Sequence, residues 1–383
     1  MVDTRDALVL RILREHGAVA EDEEVLSFSS ERIVDGKGTI SVLFRYRVNG
    51  RPYVGKMTLP DELVYGAGGG DTSELCLTMH NLEMTTYEWM EEQRQSHPED
   101  FTHIARYYGG ERIQWIEENG TCKISVGIIL LEDLGPRLYR GVRYELGIDV
   151  RLVEQTIHAI VGYQSAYLRN PESSNLPSRD VIVIADCKVA IKAINALPEK
   201  KWLTEGRRRE LLSWCSVDVY TSLYSQYEGA ERDLPLLLAH LDLGPGNLTF
   251  EQTEDDPPAK LLKIIDWQFA GYGVALLDLV RPITMCLRPE VRRQHTDRLL
   301  QLYVDLMGAR SAEFKLPLPM TIQKARSIFA RCLRFSLPQM IITKMLQGQD
   351  DVALEDDDVP EGEEEEGATT RLLRALLDDV LPL

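Results

Sequence analysis

The chain has 383 residues, 44% hydrophobic and 27% charged, with a formal net charge of −18. That length carries two domains with real cores, and so acidic a balance argues against nucleic acid or an anionic membrane as the main partner. The six cysteines, at positions 76, 122, 187, 215, 286 and 332, form no Cys-x-x-Cys pair and suggest neither a zinc site nor a disulfide framework. No stretch reaches membrane-spanning length, since even Val181 to Leu197 carries Asp186, Lys188 and Lys192, and the N-terminus lacks a signal-type apolar core. A soluble cytoplasmic protein without membrane insertion is expected.

Leu8, Leu10, Ile12 and Leu13 recur among charges over residues 6–16, which predicts a short amphipathic helix. From Val25 to Thr58 the pattern changes to alternation. Val25 to Ser29, Ile40 to Val48, and Tyr53 to Met57 after the turn Asn49-Gly50 predict three antiparallel strands. Between the first two lies Asp35-Gly36-Lys37-Gly38-Thr39-Ile40-Ser41, where glycines would let backbone N–H groups approach a triphosphate; an ordinary hairpin turn explains the segment as well. Lys56 lies between Val54 and Met57, apolar neighbours unusual for a solvated lysine. A Gly-rich linker at Gly66 to Gly70 leads to a helical pattern over 73–93, with Leu75, Leu82, Met84, Tyr87 and Met90 and the carboxylates Glu83 and Glu88.

Strands resume near Ile104 to Tyr108 and Ile124 to Leu131. The second runs into Glu132-Asp133-Leu134-Gly135, a connection whose backbone could hydrogen-bond an adenine edge. Beyond it the pattern is helical: Asp149 to Asn170, with His158 read as a packed histidine, then 205–227, 290–307 and 320–347. Asp350 to Gly367 is a solvated acidic segment, read as a charged linker before a short helix from Thr369 to Val380 whose docking is the minor reading.

The chemistry concentrates between His240 and Trp267. Leu261, Leu262, Ile264 and Ile265 predict a short buried strand that delivers Asp266 at its carboxyl end. Leu248 to Phe250 predict a partner strand, with 251–260 as the solvated hairpin tip, which would bring Asn247 and Asp266 together. An amide oxygen beside a carboxylate is a hard oxygen site suited to Mg²⁺. Asp242, on a loop made tight by Gly244, Pro245 and Gly246, is then free to accept a proton from an attacking hydroxyl.

His240-Leu-Asp242-Leu-Gly-Pro-Gly-Asn247 followed by Ile-Asp266-Trp resembles the Brenner-type signature of aminoglycoside phosphotransferases, choline kinases and the CHK or ecdysteroid-kinase-like family. The middle residue of that His-Gly-Asp triplet is usually Gly, and here it is Leu241. The resemblance covers about residues 25 to 345. It implies an α+β, bilobal protein-kinase-like fold: an N-terminal nucleotide-binding lobe (1–131) with an antiparallel sheet and one helix, a hinge (132–136), a mostly helical C-terminal lobe (137–349) and an acidic tail (350–383).

By the same resemblance ATP and Mg²⁺ are the cofactors and a small-molecule acceptor is the partner. Lys56, paired with Glu83 of a Glu-x-x-x-Tyr element or with the competing Glu88, reaches the phosphates beside Gly36, Gly38 and Ser41. Glu132 and Leu134 give main-chain contacts to adenine. His240 organises the loop of the base Asp242, Asn247 and Asp266 hold the metal, and Asp278 braces the loop or serves only as a helix N-terminal acid. The alternatives are a nucleotide-binding pseudokinase, disfavoured by the intact Lys56, Asp242, Asn247 and Asp266, and a protein kinase, disfavoured because no His-Arg-Asp, Asp-Phe-Gly or Ala-Pro-Glu occurs.

Overall fold

The computed structural model describes residues 4–33, 41–58, 72–118, 121–135, 138–140, 147–171, 176, 179–198, 200–225, 231–251, 260–316, 318–347 and 368–381. Gly36 and Gly38, the Gly66 to Gly70 linker and the segment Asp350 to Gly367 lie outside these. Two compact units are present: residues 1–138 with 172–182 and 265–269, and residues 139–171 with 183–264 and 270–383.

The first unit is built on α1 (Thr4–Glu15), β1 (Phe28–Arg32), β2 (Val42–Val48), β3 (Arg51–Thr58), α2 (Thr72–Ser96), β4 (Tyr107–Glu111), β5 (Trp115–Glu118), β6 (Thr121–Ile124) and β7 (Gly127–Glu132). Asn49 and Gly50 both take positive φ, 50° and 78°, the backbone of a two-residue hairpin turn that fixes the β2–β3 register at Val48↔Arg51. The main sheet runs β1-β2-β3-β7-β4, all antiparallel, with Lys56 opposite Ile129. Val9, Ile12 and Leu13 of α1 pack with Phe44, Tyr46, Val48, Ile128 and Leu130 of the sheet, as the amphipathic pattern requires. α1 comes so close to β4 that a Cβ on Gly109, at φ +115°, would lie 2.7 Å from Ile12 Cγ2. β5 and β6 pair as a hairpin that the sequence reading did not separate from its neighbours.

The second unit is mostly helical. It comprises β8 (Leu138–Arg140), where the chain leaves the first unit, then α3 (Val150–Arg169), α4 (Asp180–Ala196), α5 (Glu205–Ser213), α6 (Val217–Ser225), β9 (Leu237–Ala239), β10 (Leu248–Glu251), β11 (Leu261–Ile264), β12 (Gly271–Gly273), α7 (Leu277–Cys286), α8 (Pro289–Glu313), α9 (Ile322–Gln347) and α10 (Ala368–Val380). An antiparallel sheet in one unit and helices in the other give the expected α+β class.

Three details differ from expectation. The helix expected over 205–227 is two helices, because tight i→i−3 bonds from Trp214 and Cys215 to Leu211 and Leu212 end α5, and the Ser216 hydroxyl accepts from Val219 N–H to start α6. His158 is exposed on α3 rather than packed. The last helix docks: Leu372, Leu373, Leu376 and Leu377 are buried in one cluster with Leu211, Trp214, Leu337, Met340 and Ile341. Arg207 donates to Leu381 C=O (2.6 Å) and pairs with Asp378 (2.9 Å), while Arg292 and Arg293 both pair with Asp379. Four leucines on one helical face bury enough apolar surface to hold the helix whatever the acidity before it.

No helix among the described residues is long and apolar enough to cross a membrane. Cys76, Cys187, Cys215, Cys286 and Cys332 are free and buried, consistent with packing thiols.

Candidate active site

In the first unit the candidate residues converge on one ammonium group. β3 carries Lys56 inward, and its Nζ lies 2.6 Å from Glu83 Oε2, 2.6 Å from Asp266 Oδ1 and 3.5 Å from Gln268 Oε1. Only 11% of the lysine side chain and 1% of the Glu83 side chain are exposed, whereas that of Asp266 keeps 29%. Burial alone would lower the lysine's proton affinity, but the charges of Asp266 and Glu83 outweigh it, so the pKa is raised and Lys56 stays cationic. Burial pushes the Glu83 carboxyl up, opposed by Lys56.

Glu83 is fixed from a second side by Trp267 N–H, which donates to Oε1 at 3.2 Å. One helical turn on, Tyr87 is buried and stacks on Tyr107 with centroids 6.0 Å apart. Glu88, the rival partner, pairs instead with Arg112 at the surface. Asp266 has φ 68°, a left-handed conformation in which a non-glycine residue needs surrounding support, and the Lys56 bond supplies part of it. Beneath the lysine strand, His80 is buried; its Nε2–H donates to Glu111 C=O (2.9 Å), which leaves Nδ1 to accept from the Thr58 hydroxyl (3.2 Å). Ser41 is half-buried immediately before β2.

At the end of β7, Glu132 N–H donates to Arg106 C=O (3.0 Å), and its carboxylate accepts from Arg106 N–H (3.1 Å). Leu134 follows, between Asp133, which is bound to Arg45, and Gly135, whose N–H donates to the Asp133 carboxylate.

In the second unit the loop after β9 is tied down by its backbone. Asp278, in the first turn of α7, is 1% exposed. It accepts from His240 N–H (2.7 Å), Leu241 N–H (2.8 Å) and the Tyr163 hydroxyl (2.5 Å). Burial and the Asp278 charge raise the Tyr163 pKa well above its usual value and keep the phenol a donor. Leu241 has φ 65° and is 5% exposed. This is the position where the related signature carries Gly, and the reason is now physical: the backbone turns left-handed there, and in this chain a buried leucine accepts the turn because Asp278 holds its N–H.

His240 is fully buried, and its Nδ1 accepts from Asp242 N–H (3.2 Å). Asn247, ending the tight turn Pro245–Asn247, donates from Nδ2 to Asp242 C=O (2.8 Å) and Oδ2 (2.9 Å), so its amide oxygen is the end left to accept. β10 and β11 pair with Leu248 opposite Ile264, so the chain enters this hairpin one residue after Asn247 and leaves it two residues before Asp266.

Sequence reasoning missed three participants: Gln268 beside Lys56, and Arg281 with Gln339 beside Asp242. Arg281 pairs with Asp242 Oδ1 and donates through Nη2 to Gln339 Oε1 at 3.2 Å. A signal for it existed, since Arg281 stands three residues after Asp278 and therefore one turn along the same helix.

No curated protein sequence matches the chain. Among solved structures, a choline kinase from Cryptosporidium parvum Iowa II is similar at 13% identity and TM-score 0.49, covering 98% of each chain. A Ralstonia eutropha protein described as an aminoglycoside phosphotransferase is similar at 13% identity and TM-score 0.49, covering 99% of this chain and 95% of that one. The ADP-bound aminoglycoside phosphotransferase APH(2'')-Ib is similar at 12% identity and TM-score 0.40, covering 96% and 98%. The ecdysteroid kinase-like family matches residues 77–314, more than half of the sequence and the whole of the His240 to Asp278 region, so the chain belongs to that family.

Proposed function

We propose that the protein is an ATP-dependent small-molecule kinase that moves the γ-phosphoryl group to a hydroxyl, or less readily an amine, of a metabolite in the cytoplasm. The observation that carries this reading is the Lys56 ammonium, kept cationic between Glu83 and Asp266. A buried cation held by two acids on the central strand of a sheet has no packing purpose that a leucine would not serve better; it suits binding of phosphate oxygens. Lys56 takes the α- and β-phosphates, Gly36, Gly38 and Ser41 line them, and Leu134 and Glu132 meet adenine through their main chain.

Asn247 and Asp266 would hold Mg²⁺. Their donors fit it: an amide oxygen left over once Nδ2 is engaged, and a carboxylate with one oxygen on Lys56 and the other remaining. When bound, the ion neutralises charge on the β- and γ-phosphate oxygens. Asp242 accepts the acceptor's hydroxyl proton as the new O–P bond forms and the bond to the β-phosphate oxygen breaks, releasing ADP; His240 and Asp278 keep its loop in place. Positioning and electrostatics carry most of the rate.

The test is incubation of the protein with Mg²⁺-ATP and a metabolite extract, read by mass spectrometry for species heavier by one phosphoryl group. Products made by the wild type and absent with Asp242→Asn support the reading. Equal products from both proteins would remove it.

A further inference from the structure

We infer that Arg281 is a positioning residue for the transfer: by gripping the Asp242 carboxylate from α7, with Gln339 of α9 as its anchor, it sets the orientation in which Asp242 meets the acceptor. This rests on the kinase reading of Asp242 given above. The two tethers on this loop do different things. Asp278 receives the backbone N–H groups of His240 and Leu241 and so fixes the path of the chain. Arg281 instead reaches the reacting side chain itself, donating to Asp242 Oδ1.

With Asn247 Nδ2 on Oδ2 and Arg281 Nη1 on Oδ1, the carboxylate is clamped at both oxygens, which takes away the side-chain rotation that a loop aspartate with 27% exposure would otherwise keep. Each oxygen retains a lone pair for an incoming hydroxyl.

The clamp is itself rigid. Arg281 is 7% exposed on a helix whose ten residues are all buried, and its second amino group donates to Gln339 Oε1, while Gln339 Nε2 lies 3.5 Å from the Tyr220 hydroxyl. A planar guanidinium bound at both amino groups cannot swing as a lysine ammonium would. Misplacing a reacting group by a fraction of an ångström is enough to cost turnover without costing nucleotide binding.

The experiment measures ATP hydrolysis by the full chain with Mg²⁺ and no added acceptor, in wild type and in Arg281→Met, Arg281→Lys, Gln339→Leu and Asp242→Asn, and in Asp242→Asn combined with Arg281→Met. The expected result is a kcat lowered roughly 10- to 100-fold in Arg281→Met, with KM for ATP unchanged within about twofold. Arg281→Lys should recover part of the loss, and Gln339→Leu should lose several-fold. Once Asp242 is Asn, removing Arg281 should cost nothing further, because Arg281 acts through that carboxylate.

Wild-type kcat in both Arg281→Met and Gln339→Leu would overturn the inference. So would a loss from Arg281→Met that recurs in full on the Asp242→Asn background, as a merely structural pair would give. If Arg281→Met does not fold, Arg281→Lys and Gln339→Leu decide. Asp242→Asn hydrolysing ATP as fast as the wild type would instead sink the kinase reading, and this inference with it.

Discussion

The Lys56 cluster and the Asp242 loop hold charged groups by opposite means. Around Lys56 the short restraints are side-chain charges: two carboxylates at 2.6 Å on one ammonium, with Glu83 almost wholly out of solvent. Around Asp242 the chain is carried by backbone N–H groups donated to Asp278, and the reacting carboxylate is added on top. In the first arrangement, removing any member strands a partner in a poorly solvated place, so structure and function fall together. In the second, the reacting group can be neutralised while its platform stays. The difference teaches which substitutions report on chemistry alone.

The largest effect tests the platform. Asp242→Asn keeps the volume and removes the proton acceptor, so turnover should fall by about 100-fold or more, in the range of general-base contributions. ATP affinity should barely move and the loop should keep its path, since the bonds to Asp278 are untouched; the melting temperature should fall only modestly, by what the weakened pair with Arg281 costs. A variant that melts much earlier would show that the loop depends on the carboxylate after all, and the contrast drawn above would collapse.

Next in size is the charge cluster. Lys56→Ala and Glu83→Ala should each lower turnover by about tenfold or more, and each should cost stability on the order of 3 kcal/mol, because breaking a buried pair leaves its partner uncompensated. The double variant should lose less than the product of the two effects. Independent, multiplying effects on turnover would mean that Lys56 and Glu83 do not act as a unit, whatever their separation.

How much of this was legible in the sequence follows from the same contrast. Lys56, Asp242, Asn247, Asp266 and Asp278 are polar residues inside apolar or turn-rich text, and such exceptions stand out. The β2–β3 hairpin was legible from Asn49-Gly50, whose two positive φ angles that dipeptide tolerates. Arg281 was not, because a lone arginine three residues after Asp278 looks like any helix-surface residue until α7 proves to be buried throughout. Nor could the sequence choose between Glu83 and Glu88: five residues apart on α2, they differ by the rotation of the helix that aims one at Lys56 and the other at Arg112. The docking of α10 was hidden by the acidic text before it, although the spacing of Leu372, Leu373, Leu376 and Leu377 already marked one apolar face.

A moderate effect on stability should follow from acid. Burial lowers the His80 pKa to about 4, with Lys56 and Arg112 pushing the same way and the Glu111 carbonyl opposing. The folded pKa lies below the unfolded value, so the unfolded chain binds the proton more readily. The stability from neutral His80 is therefore complete above about pH 6.5 and drains as pH falls toward 4, by on the order of 3 kcal/mol over that window. Melting followed from pH 7 to pH 5 should show a steeper fall in the wild type than in His80→Gln. Parallel curves would place the acid sensitivity elsewhere in the molecule.

The smallest expected effect is the sharpest control on the cluster. Glu88 and Glu83 sit on the same helix with the same charge, but the Glu88–Arg112 pair is 39% exposed at each side chain, and Arg112 also donates to the Thr85 hydroxyl (3.0 Å) and Asn81 C=O (3.2 Å). Glu88→Gln should thus change stability by less than about 1 kcal/mol, the usual range for an exposed pair, and leave ATP turnover within about twofold. Glu83→Gln, equal in size and charge change, removes one of the two acids that keep Lys56 cationic and should lower turnover markedly. Measured side by side with ATP hydrolysis and thermal melting, the two variants separate a carboxylate's position from its mere presence. Equal losses from both would show that the net charge of α2 matters and the contact with Lys56 does not, and the first cluster would then have no special status as the holder of the phosphate-binding lysine.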